Sequence, residues 1–130
     1  MLGEKNAAAT LAVKDVGAAR KFYENTLGLT QLEGGPDDPT AVLYRSGSSA
    51  ILVYESRYAG TNQATAASWA VGDEFDAIVQ SLQEKGVSFE RYDDLPGTTR
   101  DGDVHVMGDL RAVWFKDPDG NILNLLNQAM

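Results

Sequence analysis

Apolar and polar positions along the chain fall into one phrase that is written twice. In the first copy Leu11 and Val13 alternate with smaller or polar residues, as in a half-buried strand. Asp15 follows, and Val16, Ala19, Phe22, Tyr23 and Leu27 then recur at helical spacing. Gly28 stands where a left-handed residue would end that helix. The second copy begins 58 residues later, with Thr10-Leu11-Ala12-Val13-Lys14-Asp15 aligned on Ser68-Trp69-Ala70-Val71-Gly72-Asp73. At the same offset Gly28 meets Gly86 and Leu29 meets Val87, while Phe75, Ile78, Val79 and Leu82 mark the second helix. Asp15 and Asp73 are each predicted to cap a helix by accepting a backbone N–H bond.

A hairpin is predicted to close each copy. Ala41-Val42-Leu43-Tyr44-Arg45 resembles Ala112-Val113-Trp114-Phe115-Lys116, now at an offset of 71. The last hairpin turns at Asp117-Pro118-Asp119-Gly120-Asn121, and its counterpart is Ser46-Gly47-Ser48-Ser49. Between these elements the second copy gains a long polar loop from about Tyr92 to Asp109. The expected fold class is α+β: two β-α-β-β-β modules, about 7–57 and 65–128, forming one domain over 1–130. Neither module is large enough to hide its own apolar face, so the two should pack together or pair across a dimer.

Composition narrows the chemistry. The chain has 130 residues and 43% apolar content, enough for an ordinary buried core. No apolar run approaches the ~20 residues of a membrane span, and no basic segment followed by an apolar stretch opens the chain. A cytoplasmic home, with no membrane partner, is the expectation. There is no cysteine, which excludes disulfides, thiolate catalysis and Cys-held metals. The one histidine is His105. A net charge of −8 without a basic cluster argues against nucleic acid and favours neutral or cationic ligands.

The opening Val13-Lys14-Asp15-Val16-Gly17-Ala18-Ala19-Arg20-Lys21-Phe22-Tyr23 with Leu27-Gly28, and the closing Trp114-Phe115-Lys116-Asp117-Pro118-Asp119-Gly120-Asn121, resemble the vicinal-oxygen-chelate superfamily of glyoxalase and bleomycin-resistance proteins. The resemblance covers nearly the whole chain. It implies curled mixed sheets whose two modules enclose a cleft, and a homodimer that builds its clefts from two chains. It also implies a divalent metal, held by first- and last-strand ligands, that chelates adjacent substrate oxygens.

Those positions have lost the ligands the resemblance implies. The first-strand histidine would stand seven residues before the capping aspartate, where this chain has Ala8 and Ala66. The last-strand glutamate would stand at Asn124, with Leu52 as its first-module counterpart. Alanine and leucine carry no lone pair, and a neutral amide oxygen binds cations far less strongly than a carboxylate. Neither a metal nor any other cofactor is therefore expected. Glu55 lies three residues beyond Leu52, which alternation puts on the opposite face unless a bulge intervenes. His105 is expected as an exposed loop residue, or alternatively as a group that closes over the cleft for hydrogen bonding or proton transfer. Asp117 and Asp119 fit a hairpin turn, since the spacing and closing glutamate of a calcium loop are missing.

Alternation from those positions selects a cleft-facing set: Ala8, Thr10, Ala12, Leu43, Arg45, Ala50, Leu52 and Tyr54 in the first module. In the second it selects Ala66, Ser68, Ala70, Ala112, Trp114, Ile122, Asn124 and Leu126. Leu11, Val13, Tyr44, Ile51, Val53, Trp69, Val71, Phe115, Leu123 and Leu125 should pack as core. The trough is apolar, with Tyr54 and Trp114 as aromatic walls and few polar groups, as in small-molecule pockets. No nucleophile elbow, phosphate loop or dinucleotide fingerprint occurs, and Gly34-Gly35-Pro36 reads as a loop. The expected function is metal-independent binding of a hydrophobic or aromatic small molecule, such as an antibiotic. Thr10, Arg45, Leu52, Tyr54, Ser68, His105, Trp114 and Asn124 are the expected ligand-binding residues. The alternative is a glyoxalase-type lyase or isomerase, or another enzyme of the superfamily, with a non-standard site. A third reading is a structural or regulatory partner-binding module whose trough its own side chains fill.

Overall fold

A computed structural model describes residues 1–33, 35 and 38–129. Of the Gly34-Gly35-Pro36 loop, Gly34 and Pro36 thus lie outside the described residues. The chain forms two compact units, Met1–Asn62 with Pro118–Asn121, and Gln63–Asp117 with Ile122–Met130.

In the first unit β1 (Ala9–Val13) runs parallel to β4 (Ser49–Glu55). Next to β4 lies antiparallel β3 (Ala41–Ser46), and then short antiparallel β2 (Thr30–Gln31). The sheet order is β1-β4-β3-β2. Asp15 caps α1 (Val16–Arg20) as predicted, its carboxylate accepting the Gly17 N–H at 3.0 Å. The helix then widens into a π-helical turn over Lys21–Thr26. Gly28, at φ +75°, ends it, and the Leu29 N–H reaches back to the Tyr23 carbonyl.

Leu11, Val13, Val42, Tyr44, Ile51 and Val53 are buried on one face of this sheet, together with Val16, Ala19 and Tyr23 from the helical segment. The Tyr23 ring stacks on Tyr44, centroids 6.1 Å apart, which fixes the helix to that face. Each fully buried aliphatic side chain of this kind contributes about 1.5–3 kcal/mol. The Tyr44 hydroxyl donates to Glu24 Oε2 at 2.7 Å, and Arg20 donates to the same oxygen at 3.1 Å. Burial, followed by the Glu24 carboxylate, pushes the Tyr44 phenol well above its usual range.

In the second unit the order is β5-β9-β8-β7-β6. β5 (Thr65–Ala70) runs parallel to β9 (Ile122–Leu126); β8 (Leu110–Lys116), β7 (Val104–Met107) and β6 (Thr99–Asp101) follow, each antiparallel to its neighbour. Phe75, Val79 and Leu82 of α2 (Phe75–Glu84) are buried with Val113, Phe115, Leu123 and Leu125. Arg111 places the helix on that face, its guanidinium lying 5.1 Å from the Phe75 ring centre and bonding Asp76 at 2.9 Å.

The registers bear out the repeat. Thr10, Leu52 and Leu43 form one row across β1, β4 and β3. Ser68, Asn124 and Trp114 form the equivalent row across β5, β9 and β8. Likewise Gln31 pairs with Tyr44, and Phe89 bridges to Phe115.

Three expectations need correction. Asp73 does not cap α2: it lies in a 3-10 turn over Gly72–Glu74, and the N-cap position, Glu74, makes no side-chain cap bond. The polar stretch from Tyr92 to Asp109 is no plain loop. It contains β6 and β7, whose hairpin extends the sheet beyond β8. Its period-two signal is short and interrupted by Gly102 and Gly108, which supply the left-handed turns and resemble loop composition in sequence. Finally, the β5–β9 register slips between Thr65 and Ala67, so Ala66 is the extra residue of a bulge.

Candidate functional site

Away from the helices, each sheet has a second, less buried face. In the first unit it carries Thr10 and Ala12 on β1, Leu43 and Arg45 on β3, and Ala50, Leu52 and Tyr54 on β4. Thr10 and Arg45 are exposed, Leu52 is half-buried, and the Tyr54 side chain stands 36% exposed. The register therefore brings all four expected first-module residues onto one face, opposite the core. Glu55 points the other way, as alternation requires, and its Oε2 accepts the Val16 N–H at the start of α1 at 3.0 Å.

The corresponding face of the second unit is more elaborate. Ser68, Asn124 and Trp114 share its first row, and Ala70, Leu126, Ala112 and His105 share the next. The bulge at Ala66 turns Thr65 onto this face, where its Oγ1 accepts the Trp114 Nε1–H at 3.1 Å. That bond pins the indole. Thr65 was not legible from strict alternation, because one inserted residue reverses the phase.

His105 is the largest departure from expectation. It is neither in a loop nor exposed: it sits on β7, paired with Ala112, and is 2% exposed. The Tyr92 N–H donates to its Nε2 at 2.9 Å. With Nε2 accepting, the neutral ring carries its proton on Nδ1. Nδ1 is buried and has no hydrogen-bond partner among the described residues. An unmet buried polar group costs about 1–3 kcal/mol, and such groups are rare. The Trp114 ring is perpendicular to the imidazole, centroids 4.9 Å apart at 87°, and Tyr92 packs against both at 5.6 and 5.8 Å. Burial also raises the Tyr92 phenol above its usual range. Tyr92 itself was missed in the sequence, where nothing distinguishes it from other loop aromatics.

Asn124 is 4% exposed and oriented by its neighbours. Its Nδ2 donates to the Val113 and Leu125 carbonyls at 3.1 and 3.4 Å. Two carbonyl oxygens demand the NH₂ group on that side, so Oδ1 faces away from them as an acceptor.

The Asp117–Asn121 turn also has a structural task. Asn121 Nδ2 donates to the Ala12 carbonyl at 2.7 Å, and Asp119 Oδ1 accepts the Lys14 N–H at 3.1 Å. Both bonds lie within the first unit.

A family model described as the Glyoxalase/Bleomycin resistance protein/Dioxygenase superfamily matches residues 6–125. The chain belongs to this superfamily. No curated protein matches it. Solved structures share the fold, among them the fosfomycin resistance protein FosX from Listeria monocytogenes, complexed with Mn(II) and sulfate. That similarity has 17% identity, covers 98% of this chain and 92% of that one, and gives a TM-score of 0.70. A superfamily member from Sphaerobacter thermophilus is 25% identical, over 97% and 98% of the two chains, with a TM-score of 0.67. A lactoylglutathione lyase from Agrobacterium tumefaciens is 17% identical, over 95% and 92%, with a TM-score of 0.67.

The metal that the superfamily implies does not fit these residues. At the ligand positions Ala8, Leu52 and Ala66 offer no donor atom, and Asn124 offers one neutral oxygen from an amide already held by two carbonyls. Among the described residues no group of three or more His, Asp or Glu side chains is placed to hold an ion. Among them, too, no helix is long and apolar enough to cross a membrane.

Proposed function

We propose that this member of the glyoxalase/bleomycin resistance superfamily binds a hydrophobic or aromatic small molecule without a metal. The observation that carries the reading is the combination of aromatic and small apolar side chains on the sheet faces away from the helices with ligand positions that hold no donor at Ala8, Leu52 and Ala66 and only a neutral amide at Asn124. Tyr54 and Trp114 offer ring surfaces for stacking. Thr10, Arg45, Ser68 and Asn124 offer sparse polar contacts, Leu52 an apolar floor, and His105 a buried polar group. A few polar groups among apolar and aromatic ones is the ordinary make-up of a small-molecule site. In this reading the protein sequesters its ligand, as a homodimer in the cytoplasm.

A titration against planar antibiotics and aromatic metabolites tests it, with Trp69→Phe used so that fluorescence reports Trp114 alone. Saturable quenching by at least one planar class is expected. A flat response across the panel overturns the reading. Metal analysis of protein from metal-supplemented growth separates the competing enzyme reading: one tightly held divalent ion per chain would reinstate a lyase, isomerase or dioxygenase relative.

A further inference from the structure

We infer that the ligand is a neutral, planar heteroaromatic compound whose acceptor atom takes the His105 Nδ1–H. The inference rests on the binding function proposed above and names the chemistry of what is bound.

Three observations converge. The first is the donor: His105 is buried, its Nε2 is engaged by the Tyr92 N–H, and its Nδ1 is unpartnered among the described residues. A donor held in one tautomer and orientation, without an acceptor, selects a ligand that brings one. The second is the surroundings, since the Trp114 and Tyr92 rings pack against the imidazole, with centroids 4.9 and 5.8 Å away, so a molecule bonded to that ring has aromatic neighbours. That geometry selects a flat aromatic body. The third is charge. The second unit holds eleven acidic and five basic residues, against eight and six in the first, so six of the eight net negative charges belong to it. Anionic acceptors such as carboxylates or phenolates are disfavoured there. A ring nitrogen or carbonyl on a neutral scaffold satisfies all three conditions.

The position also explains the inserted hairpin. Among the described residues the first unit has no counterpart of β7, whereas in the second unit β7 delivers His105 beside Ala112. Because Nδ1 is buried, a ligand reaches it only if side chains packed around the imidazole, such as Trp114, move. The Trp114–Thr65 bond is the polar tether such a movement would break.

Quinoline and naphthalene, alike in shape and differing by one acceptor nitrogen, are the probes. In the wild-type protein, ¹⁵N–¹H spectra of the imidazole should show the Nδ1–H tautomer, with a downfield shift of that proton on adding quinoline and none with naphthalene. In parallel, the ratio of quinoline to naphthalene affinity should fall roughly three- to tenfold in His105→Phe, as expected for one lost hydrogen bond. If both probes bind, the proton does not move and the ratio is unchanged, the inference is overturned while the binding function stands. If neither probe binds while the panel still yields a saturable ligand, the inference falls and the binding function stands; if the panel is flat as well, both fall. Should His105→Phe fail to fold, the wild-type spectra decide alone.

Discussion

Single side chains in this protein do work that their residue types do not advertise. Asn124 occupies the position where the superfamily places a glutamate, and its amide donates to two carbonyls. A carboxylate there would set oxygen against oxygen in a buried place. Asn124→Asp should lower unfolding free energy by roughly 2–4 kcal/mol, read from urea denaturation; a midpoint unchanged from wild type would refute the orientation of the amide. Tyr44 offers a second case. Its phenol is kept neutral by burial and by Glu24, so its pKa is raised on folding. A raised acid contributes stability that is complete below its unfolded value, near 10, and is lost as pH rises toward the folded value. Tyr44→Phe should therefore cost about 1 kcal/mol at pH 7, and the gap between the two proteins should shrink above pH 10. Denaturation midpoints at pH 7, 9 and 11 check the sign, and a gap that widens with pH would contradict it.

At the scale of elements, the two helices end alike and begin differently. Gly28 and Gly86 both take the left-handed conformation, at φ +75° and +89°, and the Val87 N–H reaches back to the Leu82 carbonyl to close α2. The space around a Gly28 Cβ is open, so Gly28→Ala should cost only the backbone strain, about 1 kcal/mol. Gly60 differs. It has φ +83°, and a Cβ there would stand 2.6 Å from the Asp119 carbonyl oxygen. Gly60→Ala should be the more damaging change, by about 2 kcal/mol or more, because the turn that also bonds Lys14 and Ala12 must shift. Thermal melts of the two variants side by side test this ordering, which equal losses would defeat. The inserted hairpin should be the less stable part of its sheet. β6 is a three-residue edge strand, and its amides are expected to exchange sooner than those of β8, which is paired on both sides. Equal protection of the two in hydrogen exchange would argue against that.

Charge is the property that belongs to the molecule as a whole. Nineteen acidic residues against eleven basic ones leave a net −8 that opposes compaction. Of the charge pairs, Arg20–Glu24, Arg91–Asp103 and Arg111–Asp76 all have substantially exposed members, so each contributes little. Stability should therefore rise, by a few degrees in Tm, as salt goes from about 10 to 150 mM and screens the net repulsion. A falling Tm over that range would mean that local pairs outweigh it.

Much of the fold is readable in the sequence, because burial enforces periodicity. Leu11, Val13, Tyr44, Ile51, Val53, Phe115, Leu123 and Leu125 fall at every second position of their strands and are buried, as a sheet with one covered face requires, although Trp69 and Val71, expected with them, are only half-buried. The duplicated phrase, the Asp15 cap and the two helix-ending glycines follow from local chemistry and were equally plain, as was the lack of donors at Ala8, Leu52 and Ala66. Tertiary structure alone decided the rest. The bulge that turns Thr65 toward Trp114, and the hairpin that carries His105 from an apparent loop into a buried aromatic cluster, depend on strand register. Register is settled by pairing between residues far apart in the chain, which no local pattern records. That Nδ1 of His105 lacks a partner among the described residues is likewise a fact about neighbours, and neighbours exist only once the chain has folded.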